Sequence, residues 1–109
     1  DIYFSQNKNK LAEKNYTLAI DKASYRKERF LIKRAQFFFD TKKYQLALKD
    51  FQSSRQLNKN YSKAWLGEVN SYVKLNNKNG AKKALTEYTK LKPNSKIISS
   101  LKSEINGLK

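Results

Sequence analysis

The feature that most constrains this chain is its match to itself at a shift of 34 residues. Under that shift Leu31 falls on Trp65, Phe38 on Tyr72, Ala47 on Ala81, Phe51 on Leu85 and Leu57 on Leu91. Four of these pairs are large and apolar and one is small, all in a single register. Lys59 on Pro93 differs in class, yet it sits inside the parallel phrases Leu57-Asn58-Lys59-Asn60 and Leu91-Lys92-Pro93-Asn94. A partial earlier copy, shifted by one residue more, runs through Tyr3-Phe4, Ala12, Tyr16 and Ala19-Ile20, with a polar turn expected at Gln6-Asn7-Lys8-Asn9.

Within each copy the apolar spacing is helical. Leu31, Ala35, Phe38 and Phe39 share one face at 3.6 residues per turn, and Tyr44, Ala47, Leu48, Phe51, Ser54 and Leu57 share the next. Trp65, Val69, Tyr72 and Val73, then Ala81, Ala84, Leu85, Tyr88 and Leu91, repeat the scheme. Short polar breaks at Thr41-Lys42-Lys43 and Asn76-Asn77-Lys78-Asn79 predict antiparallel hairpins. Asn60-Tyr61-Ser62 offers a cap before the Trp65 helix. Pro93 ends the preceding helix, and Asn94 or Ser95 is placed to cap a last one over Ser95–Asn106, apolar along Ile97, Ile98, Leu101 and Ile105. A hairpin of this kind cannot bury its apolar face alone, so neighbouring hairpins must stack, with Ala47 and Ala81 small because a facing helix passes close.

The signature resembles the tetratricopeptide repeat, whose pattern runs Trp, Leu-Gly, Tyr, then Ala and Phe, then Pro. Here Trp65, Tyr72, Ala81, Leu85 and Pro93 stand in those places, and one repeat earlier Leu31, Ala35, Phe38, Ala47, Phe51 and Lys59 do. The resemblance implies an all-α, right-handed α-solenoid of antiparallel helix hairpins, about two and a half to three repeats plus a C-terminal capping helix. The expected divisions of this one domain are a truncated repeat over 1–26, repeats over 27–60 and 61–94, and the cap over 95–109. Glu68-Val69 replaces the usual Leu-Gly pair, which predicts shifted packing that uses Gly67.

Composition narrows the chemistry. The chain has 109 residues, no Cys and no His, so thiolate and imidazole can serve neither catalysis nor metal binding. Its nine acids are scattered, there is no Gly-rich phosphate loop, and no nucleophile–base pairing is visible, so no enzyme, metal or cofactor is expected. No apolar run approaches the ~20 residues that span a bilayer. The first residue is Asp and Met is absent, so a fragment of a longer protein is expected, with any targeting signal outside it and cytoplasm and cell envelope both left open.

The formal charge of +15 points to an acidic partner. Lys outnumbers Arg 20 to 4, and Lys and Asn share A-rich codons, which weakens the case for dedicated nucleic-acid contacts. In the resembling family, partner peptides lie in a concave groove lined by the first helix of each repeat. The residues left over from the core stripe there are Arg29, Ile32, Lys33, Gln36 and Phe39 on one helix and Lys63, Leu66, Asn70, Val73 and Lys74 on the next. They form rows 34 apart: Arg29/Lys63, Ile32/Leu66, Gln36/Asn70 and Phe39/Val73. Phe37 is a further contact candidate. Ile32 and Leu66 stand where a family sub-class that clamps chaperone carboxyl termini needs a cation or amide. The expected function is a protein–protein interaction scaffold for a peptide or subunit. The alternative is a basic solenoid that binds RNA or an anionic membrane surface. Self-association through the truncated first repeat is also expected.

Overall fold

Six helices follow one another through the described residues: α1 (Ile2–Lys22), α2 (Lys27–Asp40), α3 (Tyr44–Leu57), α4 (Ser62–Lys74), α5 (Lys78–Leu91) and α6 (Ile98–Asn106). A computed structural model describes the backbone of residues 2–109 and the side chains of residues 5–109, so Asp1 and the Tyr3-Phe4 side chains of the partial repeat lie outside it. No strand occurs among the described residues.

Two turns explain why the hairpins recur. After α2, Lys42 takes a left-handed conformation (φ 65°), its N–H donates to the Phe39 carbonyl, and the Lys43 N–H donates to Phe38. After α4, Asn76 does the same (φ 57°), with Asn76 donating to Val73 and Asn77 to Tyr72. Both are Schellman turns, which satisfy the last free carbonyls of a helix and reverse the chain. They stand 34 residues apart, so the repeat is carried by the backbone as well as by the side chains.

Within the hairpins α2 packs on α3 and α4 on α5; between them α3 meets α4 and α2 meets α4, while α1 and α6 flank the ends. Ala35, Phe38, Ala47 and Phe51 form one buried cluster. Val69, Ala81, Ala84, Leu85, Tyr88, Leu101 and Ile105 form the other. Ala47 and Ala81 are fully buried, as small residues at close helix crossings must be. The Cα radius of gyration is 14.7 Å, against about 13 Å for a closed globule of this length, as an open stack requires.

Several expectations give way. Gln6–Asn9 is not a turn: α1 runs through it unbroken, since the segment holds no Gly or Pro and Gln and Lys are good helix formers. Leu57 is 56% exposed, because it is the last residue of α3 and projects past the facing helix. The last helix starts at Ile98, leaving Ile97 exposed, and Ser95 shares a hydrogen bond with the Tyr88 hydroxyl in place of capping. No side chain caps α4 either; the Trp65 indole N–H reaches back to the Lys59 carbonyl and ties down the loop before it. Leu31 is buried, whereas Trp65 is half-buried with the Arg55 guanidinium 4.6 Å above its ring. Phe37 is half-buried against Tyr16 of α1, ring centroids 5.5 Å apart, so it joins α1 to the stack.

The close approach expected near Val69 falls at Gly67. A Cβ built there would collide with the ring of Phe51, which is buried in the neighbouring hairpin. Gly67→Ala should therefore cost about 1–3 kcal/mol, read as a fall in the urea midpoint with an unchanged slope. An unchanged midpoint would mean that the hairpins do not meet there.

Candidate functional site

The candidate surface is built by α2 and α4, which lie in contact. Each helix turns its small and apolar stripe into the core (Leu31, Ala35 and Phe38; Ala64 and Val69) and leaves the expected groove residues on its other faces. Arg29, Lys33 and Gln36 of α2, and Lys63 and Lys74 of α4, are exposed. Ile32 and Phe39, and Leu66, Asn70 and Val73, are half-buried. The half-buried apolar side chains serve the core with one flank: Ile32 and Phe39 against the first cluster, Leu66 and Val73 against the second. Phe39 also meets Tyr44 of α3 edge-on, with centroids 5.2 Å apart, and the Gln36 amide donates to Asp40 at 2.8 Å. These two residues are thus partly engaged within their own hairpin.

One open basin of about 790 Å³ brings four of the ten together: Arg29, Ile32 and Lys33 from α2 and Lys63 from α4. Its remaining wall was not legible in the repeat. Lys22 comes from the end of α1, Tyr25 and Arg26 from the α1–α2 loop, Phe30 from α2, and Tyr61 from the residue before α4. Arg26 sits in the left-handed region (φ 56°) and turns the chain from α1 into α2. Five cations and no carboxylate line this basin. The first turns of α2 and α4 both border it and add partial positive charge. Gln36, Phe39, Leu66, Asn70, Val73 and Lys74 fall outside it.

Two ion pairs, each a half-buried guanidinium on a buried carboxylate, hold α2 and α4 in place behind this surface. The Arg34 guanidinium donates to both carboxylate oxygens of buried Asp50 on α3, Nε to Oδ2 at 2.7 Å and Nη2 to Oδ1 at 2.9 Å. Its Nη1 donates to the Thr17 hydroxyl on α1 at 3.2 Å, so one side chain fastens three helices. The bond to Asp50 holds the Arg34 pKa above its ordinary value. One repeat later, at the same place with the opposite sign, buried Glu68 accepts from Nε of Arg55 on α3 at 2.9 Å. Burial pushes the Glu68 carboxyl above the usual range, and Arg55 only partly opposes the rise. Among the described residues no cluster of acids suited to a metal ion occurs, and no helix is long and apolar enough to cross a membrane.

Removing Asp50 leaves the half-buried Arg34 unpaired and opens a gap in α3's buried face, so Asp50→Ala should destabilise the stack by about 1–2 kcal/mol in urea unfolding. For Glu68 the sign follows from its raised folded-state pKa. Its neutral form is the one that folding favours, so its contribution is best at low pH and declines as pH rises through that pKa. The stability of the wild type relative to Glu68→Gln should fall as pH rises from the ordinary carboxylate range, about 4.3, through the raised pKa. A difference that grows in favour of the wild type over that range would contradict the assignment.

A tetratricopeptide repeat family model matches residues 38–105. No curated protein matches the sequence closely enough to count as a relative. Among solved structures, the chain is similar to the first tetratricopeptide repeat domain of Spaghetti (RPAP3), solved bound to the HSP90 peptide SRMEEVD. The two share 28% identity with a TM-score of 0.82, over 95% of this chain and 82% of that one. With its paired Schellman turns, its stacked hairpins and a matching model over more than half its length, the chain belongs to the tetratricopeptide repeat family.

Proposed function

We propose that the chain is a binding scaffold that holds an acidic peptide segment of another protein in the groove along α2 and α4, without catalysing a reaction on it. The observation that carries this reading is the basin in which Arg29, Ile32 and Lys33 of one repeat meet Lys63 of the next with no acid among its walls. Beyond it the groove offers apolar Leu66 and Val73, the amides of Gln36 and Asn70, and the cation Lys74. Apolar flanks anchor side chains, amides bond a peptide backbone, and cations select acidic residues. The net charge of +15 draws an acidic partner to this surface faster than a neutral one. The similar Spaghetti domain was solved with a peptide that carries two Glu and a terminal Asp. Here Ile32 and Leu66 put apolar rungs where a carboxylate clamp needs polar ones, so the favoured peptide carries apolar side chains beside its acids.

Leu11 and Leu18, a heptad apart on α1 and 60% and 43% exposed, are where end-to-end self-association would run. A monomeric mass at every concentration in sedimentation would remove that part of the reading.

The groove reading is tested by selecting acidic peptides from a library on the immobilised chain and measuring the best by fluorescence anisotropy. Ile32→Ala and Leu66→Ala should each weaken binding about tenfold, as anchors in a peptide groove do, with the fold retained by circular dichroism. Raising salt from about 50 to about 200 mM should cost much less than the 10³-fold expected of a phosphate-backbone binder. Tight RNA binding with that steep salt loss, insensitive to both substitutions, would replace this reading with the nucleic-acid one.

A further inference from the structure

The basin at the start of α2 and α4 carries more positive charge than an ordinary acidic side chain can use. Lys22, Arg26, Arg29, Lys33 and Lys63 all border it. None of the five is in an ion pair among the described residues, where the cations that do pair are Arg34, Lys43, Arg55 and Lys90. Two of the five are spread over rings in the same wall. The Arg26 guanidinium lies 5.7 Å from the Tyr25 ring centre, and the Lys33 ammonium 5.7 Å from that of Phe30. Ser24, Tyr25 and Tyr61 add hydroxyl groups at the edge. The cations come from three separate places (the end of α1 with its loop, the first turns of α2, and the start of α4), so the stack itself gathers them. Such like charges repel one another, and a dense anion relieves that repulsion.

We propose that this basin is the seat of a phosphoryl group carried by the peptide that lies in the groove. A phosphorylated side chain brings a charge of about −1.5 to −2 and three acceptor oxygens to one point, whereas a carboxylate brings one charge and two oxygens. Two guanidinium groups offer the planar pairs of donors that phosphate oxygens accept, and the three lysines add point charge. Ile32 lies both in the basin wall and in the expected groove, so the phosphorylated residue sits next to an apolar position of the same peptide. These five cations line one bowl, which suits a single phosphoryl group better than an extended nucleic-acid backbone. This assignment rests on the groove reading above and adds the class of residue that the groove selects.

The test uses three versions of one amidated groove peptide, with phosphoserine, glutamate or serine at the residue adjoining Ile32, measured by fluorescence anisotropy against the full chain. The phosphoserine form should bind at least tenfold more tightly than the glutamate form, and inorganic phosphate should compete with it. Arg29→Ala/Lys63→Ala should abolish that preference, while Lys82→Ala/Lys83→Ala, which removes equal charge from α5, should change it less than twofold. The chain has no His, so lowering pH from about 7.5 to about 5.5 leaves the basin cations charged and protonates the phosphoryl dianion, whose second pKa is about 6. The phosphoserine form should lose several-fold in affinity over that range and the glutamate form much less. Equal binding of the phosphoserine and glutamate forms, or an equal loss in both double variants, overturns the phosphoryl seat. A stronger preference for a free carboxyl terminus than for phosphoserine, or tighter binding of an RNA oligonucleotide at the basin, overturns it too. If all three forms bind alike and Ile32→Ala weakens them, the groove reading survives without the seat. If the phosphoserine form binds tightly regardless of Ile32→Ala, the seat survives and the groove reading fails. If no form binds, both fail.

Discussion

Everything in this molecule depends on how closely one helical hairpin can approach the next. Ala47 and Ala81 are fully buried at the crossings within hairpins, and Gly67 receives the ring of Phe51 from the hairpin before it. Where side chains are that small, helix axes draw together and dispersion contacts accumulate over the whole face. The aromatic residues then fill the wedges left by the crossing angle. Because each hairpin is completed only by its neighbours, the proposed binding surface would be a consequence of stacking. α2 and α4 come side by side only when α3 is held between the layers.

The two buried ion pairs make that stacking specific. Arg34 and Glu68 stand at equivalent places with opposite sign, but Arg34 pairs with Asp50 inside its own hairpin and reaches Thr17 of α1, whereas Glu68 pairs with Arg55 of the hairpin before it. A buried pair of this kind contributes little to net stability once desolvation is counted, but a wrong register would leave a bare charge in the core. Burial is also what pushes the Glu68 carboxyl above its usual range. Hairpins slipped by one turn would part Arg55 from Glu68, so that pair acts as a register lock between hairpins, while Arg34 with Asp50 fixes α2 on α3 within one of them.

The fold was largely legible because the 34-residue period is written in residues with little choice. Small residues at Ala47 and Ala81 and large ones at Phe38, Tyr72, Phe51 and Leu85 have no other reason to recur. The turn assigned to Gln6–Asn9 failed because polar residues at a repeat boundary and polar residues on an exposed helix look alike, and only a neighbouring helix distinguishes them. Leu57 failed because a match in sequence does not say whether a facing helix extends that far. The buried pairs were out of reach too: Arg34, Asp50, Arg55 and Glu68 lie on three helices and only the packing brings them together. For the surface, the repeat supplied Arg29, Ile32, Lys33 and Lys63. It could not supply Lys22, Tyr25 and Arg26, which belong to a connection outside the repeating register and are aimed by the left-handed Arg26 backbone.

Five cations and the apolar Ile32 meet at one end of α2 and α4 with no carboxylate among them, and that coincidence makes this face the one to examine first. The most direct measurement is an amide chemical-shift map of the chain titrated with a selected acidic peptide. The account predicts that the largest shifts cluster at Arg29, Ile32, Lys33, Lys63 and Leu66, with α5 and α6 unmoved. Shifts centred on Lys82, Lys83 and Lys102, with α2 and α4 silent, would contradict it.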